Sequence, residues 1–224
     1  MDPRTPLVVL AALACGLVGW RWLRAGTYRR PGEGGPLPRH LWVPALAPFV
    51  GLAVERSLTD RPRPVLLAPL TLGLVGLVLA AVDADVHRLP NALTVPLVPV
   101  AAVLLTGASA ATGDWGALAG ATVAAVPVGG VAILPAFFLH GRSIGMGDAK
   151  LLVSIAPTPA WLGWTQLVVG IWLGFVLGGI VALALLLARR ATRSTQLAFG
   201  PWLVAGAVPA IAPGLMSHGA RRPR

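Results

Sequence analysis

A chain of 224 residues that is 56% hydrophobic and only 12% charged, with a mean hydropathy of +0.77, is not a soluble globular domain, where charged residues make up about a quarter of the chain. Its net charge of +10 does not point to nucleic acid: the basic residues punctuate apolar runs, as flanks of membrane spans do, and form no basic–aromatic groove. The single cysteine, Cys15, excludes an internal disulfide and a cysteine-based zinc site. At ~20 residues per span the length fits seven or eight membrane helices. The expected fold class is therefore all-α, a polytopic membrane helix bundle of about eight transmembrane helices forming one integral membrane domain, 1–224.

The first apolar run, Thr5 to Trp20, is followed by Arg21, Arg24, Arg29 and Arg30. Ala12-Leu13-Ala14-Cys15 has the look of a cleavage site, but the apolar run continues past Cys15, so a retained first helix is expected. Residues 21–40 are rich in Pro, Gly and Arg and read as a flexible connector. Leu41 to Val54 is short for a span and holds Pro44 and Pro48, so it crosses only by tilting or by recruiting flanking residues. Pro64 to Val82 is a clean span ending on Asp83. Leu89 to Gly113 is the next, with Pro90 suited to a helix start, where no N–H is needed. Trp115 to Leu139 returns. Leu151 to Ala188 is nearly twice one span, and Pro157, Pro159, Trp161 and Trp164 offer the turn that divides it. The last run, Ser194 to Ser217, precedes a short basic tail.

This layout places the loop 21–40, residues 83–90, 140–150 and 189–193 on one face. That face carries eleven Lys and Arg against seven on the other, which assigns it to the cytoplasm. Two carboxylates, Asp83 and Asp148, then lie at that face, each at the end of an apolar span, where ionisable groups are costly and usually functional. Asp148 stands in Gly145-Met146-Gly147-Asp148, with Lys150 two residues on; the glycines allow a tight turn and close approach. Two carboxylates at one water share a proton, because like charges at short range do not both ionise cheaply. The ionised one draws a proton from the attacking water; the protonated one polarises the scissile carbonyl and feeds the leaving amine. No metal and no cofactor is required.

Plainer readings stand beside this one. Asp83 is also placed to be a helix-end carboxylate in contact with Arg88, and Asp148 a dipole-stabilised cap. Asp85 competes with Asp83 but points about 160° away from it on a helix. Lys150 pairs with Asp148, tunes it, or anchors at headgroups; the sequence does not choose. No serine sits in a nucleophile elbow, and the four histidines, His40, His87, His140 and His218, show no metal-binding pair. An ion-coupled transporter or channel using intramembrane carboxylates is the alternative from another class, and a non-catalytic scaffold a third.

The motifs resemble those of the prepilin peptidases, the type IV leader peptidases among the GxGD membrane aspartic proteases. Asp83 followed seven residues later by Pro90, after Leu89, fits their first motif and selects Asp83 over Asp85. Gly145-Met-Gly147-Asp148-Ala-Lys150-Leu151 fits the second, and Phe199-Gly200-Pro201 a third. Together they cover a peptidase core of residues 64–215. The resemblance implies an aspartic endopeptidase with Asp83 and Asp148 as catalytic residues, supported by Gly145, Gly147, Lys150 and Pro90. The expected substrate is a type IV prepilin or pseudopilin, cut on the cytoplasmic side of the bacterial inner membrane after a glycine that precedes its hydrophobic segment. The expected partners are that substrate and the lipid bilayer, with no nucleic acid. Long members of the family carry a large first cytoplasmic loop with paired Cys-x-x-Cys motifs and also N-methylate the product with S-adenosylmethionine. Here residues 21–40 stand in its place without a cysteine, so a peptidase alone is expected.

Overall fold

Apolar runs interrupted by Pro, Gly and charge give a chain of helices whose backbone groups are satisfied within each segment, as a bilayer demands. A computed structural model describes residues 4–33, 35–138, 146–189 and 200–210, with side chains at 4–33, 35–130, 149–189 and 200–208. Within these, helices run over Arg4–Ala25 (α1), Trp42–Ser57 (α2), Arg63–Val86 (α3), Asn91–Thr112 (α4), Trp115–Phe138 (α5), Met146–Ile155 (α6), Pro157–Leu162 (α7), Trp164–Leu187 (α8) and Gly200–Ala210 (α9). No strand occurs among the described residues. Four of the helices, α1, α3, α4 and α8, are long and apolar enough to cross a membrane. The protein is an all-α, multi-pass membrane bundle.

The long run from Leu151 is divided where its prolines suggested. Ala156 leads into Pro157, and the chain turns at Gly163 (φ 155°, ψ 155°) before α8 begins. The result is unequal: α6 and α7 together make one interrupted element, and α8 is a full span. Helix α2 has 16 residues, about 24 Å, short of the ~20 residues of a full span. Expectations for Leu139, His140, Arg142, Gly145, Arg190, Arg193, Phe199, His218 and the basic tail concern positions outside the described residues.

Helix α3 is the centre of the bundle. Thirteen of its residues are buried, and it packs on α1, α2, α4 and α9. Small residues let the other helices approach one another. A Cβ on Gly16 would meet Ala47, and one on Gly51 would meet Ala12, so α1 and α2 lie close; Gly206 of α9 lies directly on Gly170 and Gly174 of α8. Such packing replaces the hydrophobic drive that lipid does not supply. One buried polar contact ties α4 to α7: the Trp161 indole Nε1–H donates to Ser109 Oγ at 2.7 Å.

Candidate active site

The end of α3 is set by its own sequence. His87 adopts a left-handed conformation (φ 49°, ψ 36°), and its N–H closes the helix on the carbonyl of Asp83 at 2.9 Å. Pro90 (φ −64°, ψ 129°) then precedes α4, where the carbonyl of Pro90 accepts from the N–H of Leu93 and of Thr94. Proline fits there because the first helical turn needs no N–H from it. The helix runs three residues past Asp83, which places the carboxylate in the last turn, inside the bundle.

Asp83 is 4% exposed. Its Oδ2 accepts a hydrogen bond from the backbone N–H of Gly200 at 3.1 Å, the first residue of α9. A Cβ on Gly200 would stand 3.0 Å from Asp83 Oδ2 and 3.3 Å from Leu151 Cδ2, so α3, α6 and α9 meet there. A buried carboxylate is costly without donors, and here a main-chain N–H supplies one. Gly200 belongs to the Phe-Gly-Pro motif; its role as donor to Asp83 had no signal in the sequence.

Asp148 is the third residue of α6; its side chain, like that of Met146, falls outside the described residues, as does Gly145 entirely. The turn that carries it is well anchored. Ala149 is fully buried and Leu151 nearly so, in one apolar cluster with Leu79 of α3, Leu89 and Leu203 of α9. Lys150 Nζ donates to Asn91 Oδ1 at 2.9 Å, and Ser154 Oγ to the carbonyl of Thr94 at 3.2 Å. The structure records for Lys150 a tie that the sequence did not suggest, to the start of α4 next to Pro90. The C-terminal end of α3 and the starts of α4, α6 and α9 therefore converge.

Asp85 turns away, as helical spacing requires. Arg29 grips it through Nε–H to Oδ2 at 2.8 Å and Nη2–H to Oδ1 at 2.7 Å, and the Tyr28 hydroxyl donates to Oδ2 at 2.6 Å. Arg88, expected as a contact for Asp83, instead pairs with Glu33 through two 2.8 Å bonds and donates to the Tyr28 carbonyl at 2.8 Å. The Arg30 N–H also donates to Glu33, at 2.7 Å. Residues 28–33 are thus a strap fastened to the end of α3, not the flexible connector that their composition suggested. Two bidentate guanidinium–carboxylate pairs supply the order that a core would otherwise give.

The strap's titratable groups register these contacts. Burial, and then the hydrogen bond to Asp85, push the Tyr28 phenol up to about 12. The Arg88 guanidinium, followed by the Arg30 N–H, holds Glu33 down at about 2. Burial lowers His40 below the usual imidazole value. No group of three metal-ligating side chains occurs among the described residues.

Comparison with known proteins agrees with this architecture. The model of the type IV leader peptidase family matches residues 70–183, about half of the chain. The chain is 33% identical over 193 residues to the prepilin leader peptidase/N-methyltransferase of Aeromonas hydrophila, covering 84% of this chain and 62% of that protein. It is 32% identical over 206 residues to the one of Aeromonas salmonicida (90% and 66%), and 34% identical over 135 residues to the one of Pseudomonas aeruginosa (60% and 44%). The chain spans less than two thirds of the length of these relatives. No solved structure matches it. By the family match, and by relatives sharing a third of its residues over most of its length, the chain belongs to the type IV leader peptidase family.

Proposed function

We propose that this protein is an aspartic endopeptidase that removes the leader peptide of type IV prepilins or pseudopilins at the cytoplasmic face of the bacterial inner membrane. Asp83 and Asp148 are its catalytic pair. The observation that carries this reading is Asp83 itself: a buried carboxylate in the last turn of α3, held by the N–H of Gly200, at the end of the bundle where the helix bearing Asp148 begins.

Each residue then has a task. One aspartate, ionised, takes a proton from the attacking water; the other, protonated, hydrogen-bonds the scissile carbonyl and passes its proton to the departing amine. Apolar walls around the pair strengthen both interactions. Gly145 and Gly147 let the chain approach closely. Pro90 starts α4, and Lys150 fixes α6 to Asn91 beside it. Residues 64–215 form the peptidase core within one membrane domain, and the strap in 21–40 replaces the cysteine-containing loop of longer relatives. N-methylation, part of the relatives' names, is not assigned to this chain.

The test is leader cleavage in membranes, with the protein co-expressed with a tagged prepilin from the same genome. Processing is expected for wild type and Asp85→Asn and lost for Asp83→Asn and Asp148→Asn. Processing that persists in Asp148→Asn overturns the aspartic mechanism.

A further inference from the structure

On the side of α3 away from Asp83, a groove of about 790 Å³ runs between α1 and α3 and is floored by the end of α2. Its walls are apolar, among them Leu7, Ala11 and Val18 of α1 and Leu67, Leu74 and Val78 of α3. It opens sideways, since Leu7 and Val18 remain 69% and 68% exposed. It narrows at the Asp83 end, where a Cβ on Gly19 would meet Val78. At the opposite end it is lined by polar groups, Arg4, Glu55, Thr59, Arg61 and Arg63. Glu55 is only 2% exposed, and its Oε2 has no hydrogen-bond partner among the described residues. A buried carboxylate oxygen without a donor calls for one.

We infer that this groove is a phospholipid site, and that its occupant carries a phosphoethanolamine headgroup. The phosphate meets the guanidinium groups of Arg61 and Arg63, which suit phosphate geometry. The primary ammonium supplies the donor that Glu55 lacks. One acyl chain lies along the apolar walls. From Leu67 to Val78 the groove is about 16 Å long at ~1.5 Å per residue, close to the ~15 Å of one leaflet's hydrocarbon. A phosphate alone leaves Glu55 unsatisfied; a zwitterion offers an anion to the arginines and a donor to the carboxylate. The apolar helix of a cleaved substrate is a poorer match. Asp83 lies five residues beyond Val78, about 140° around α3, so a helix seated here stands behind the catalytic face. The inference does not rest on the peptidase reading.

Native mass spectrometry of the purified full chain tests it, with equimolar phosphatidylethanolamine, phosphatidylglycerol and phosphatidylcholine of identical acyl chains. One phosphatidylethanolamine adduct is expected to dominate on wild type. Glu55→Gln removes a charged acceptor, so the preference over phosphatidylcholine falls by roughly tenfold. Arg61→Gln with Arg63→Gln weakens all three adducts. Should Glu55→Gln fail to fold, as read by circular dichroism and gel filtration, Leu74→Trp decides: it fills the groove and must abolish the adduct. Equal adducts of the three lipids, a preference for phosphatidylglycerol, a polypeptide in place of lipid, unchanged selectivity in Glu55→Gln, or an adduct that survives Leu74→Trp overturns the proposal.

Discussion

The backbone N–H of Gly200 points at Oδ2 of Asp83 across 117 residues of sequence, at 3.1 Å. The contact uses main chain, so substitutions at position 200 other than proline keep the donor and only add bulk. Gly200→Ala places a methyl 3.0 Å from that oxygen and 3.3 Å from Leu151, closer than comfortable contact. The carboxylate or α9 must then shift. A displacement below 1 Å at a reacting group is expected to slow leader cleavage by roughly tenfold to a hundredfold. Single-turnover cleavage in detergent, with helix content unchanged by circular dichroism, checks this.

Asp85 is held by Arg29 and Tyr28, and it faces away from the cluster around Asp83. Its removal loosens the strap without touching the reacting groups. Asp85→Asn is expected to keep activity within roughly tenfold of wild type, as for a group that positions and does not react. Thermal stability in detergent falls for Asp85→Asn and for Arg29→Gln. The double variant loses less than the sum of the two, because both remove one interaction. Additive losses would show that the pair is uncoupled.

Tyr28 is the sole tyrosine of the chain, so its ionisation can be followed directly by tyrosinate absorbance. Burial and the Asp85 carboxylate favour the neutral phenol, and the transition is expected at about 12 instead of 10. A raised value means that this contribution to stability is complete below pH 10 and fades as the pH climbs through about 12. Asp85→Asn should move the transition part of the way back. A wild-type transition near 10 would show that the strap is open in solution.

Glu33 gives the acid counterpart. Its carboxyl is held at about 2 against an ordinary 4.5, so its contribution to the strap is present above pH 4.5 and is lost as the pH falls through about 2. Side-chain carbon shifts of Glu33, followed by NMR in micelles, should titrate at the lower value. Arg88→Gln should return them towards 4.5.

Where Gly206 of α9 meets Gly170 and Gly174 of α8, there is no room for a side chain. A Cβ on Gly206 would land on the backbone N of Gly174 and the carbonyl of Gly170, and neither can rotate away. Gly206→Ala is expected to destabilise by about 1–3 kcal/mol, the range of overpacked cores. Chemical unfolding in detergent reads it. Gly107, whose added Cβ meets nothing within 4 Å, is the control.

Much of the fold is legible in the sequence because bilayer physics is one-dimensional: apolar length and interrupting charge mark spans. Pro64 to Val82 became α3 and Leu89 to Gly113 became α4, with Pro90 at the boundary. What escaped are contacts between distant segments. Nothing local pairs Arg29 with Asp85 or Glu33 with Arg88, 56 and 55 residues apart, and a Pro/Gly-rich composition argues against order altogether. That Asp83 and Asp85 point apart was foreseeable from 3.6-residue periodicity, and the motif resemblance chose Asp83; the donor to Asp83 was not foreseeable, since a backbone N–H leaves no mark on residue choice beyond the glycine.

The dependence of Asp83 on Gly200 also sets a schedule. The ribosome completes α3 long before it reaches α9, so a newly made chain holds its aspartate without the contact that aligns it. On the proposed peptidase reading, competence to cleave then arises only after α9 has been made and packed onto α8. Ordered this way, biosynthesis would keep the proposed peptidase inert until its last described helix is in place.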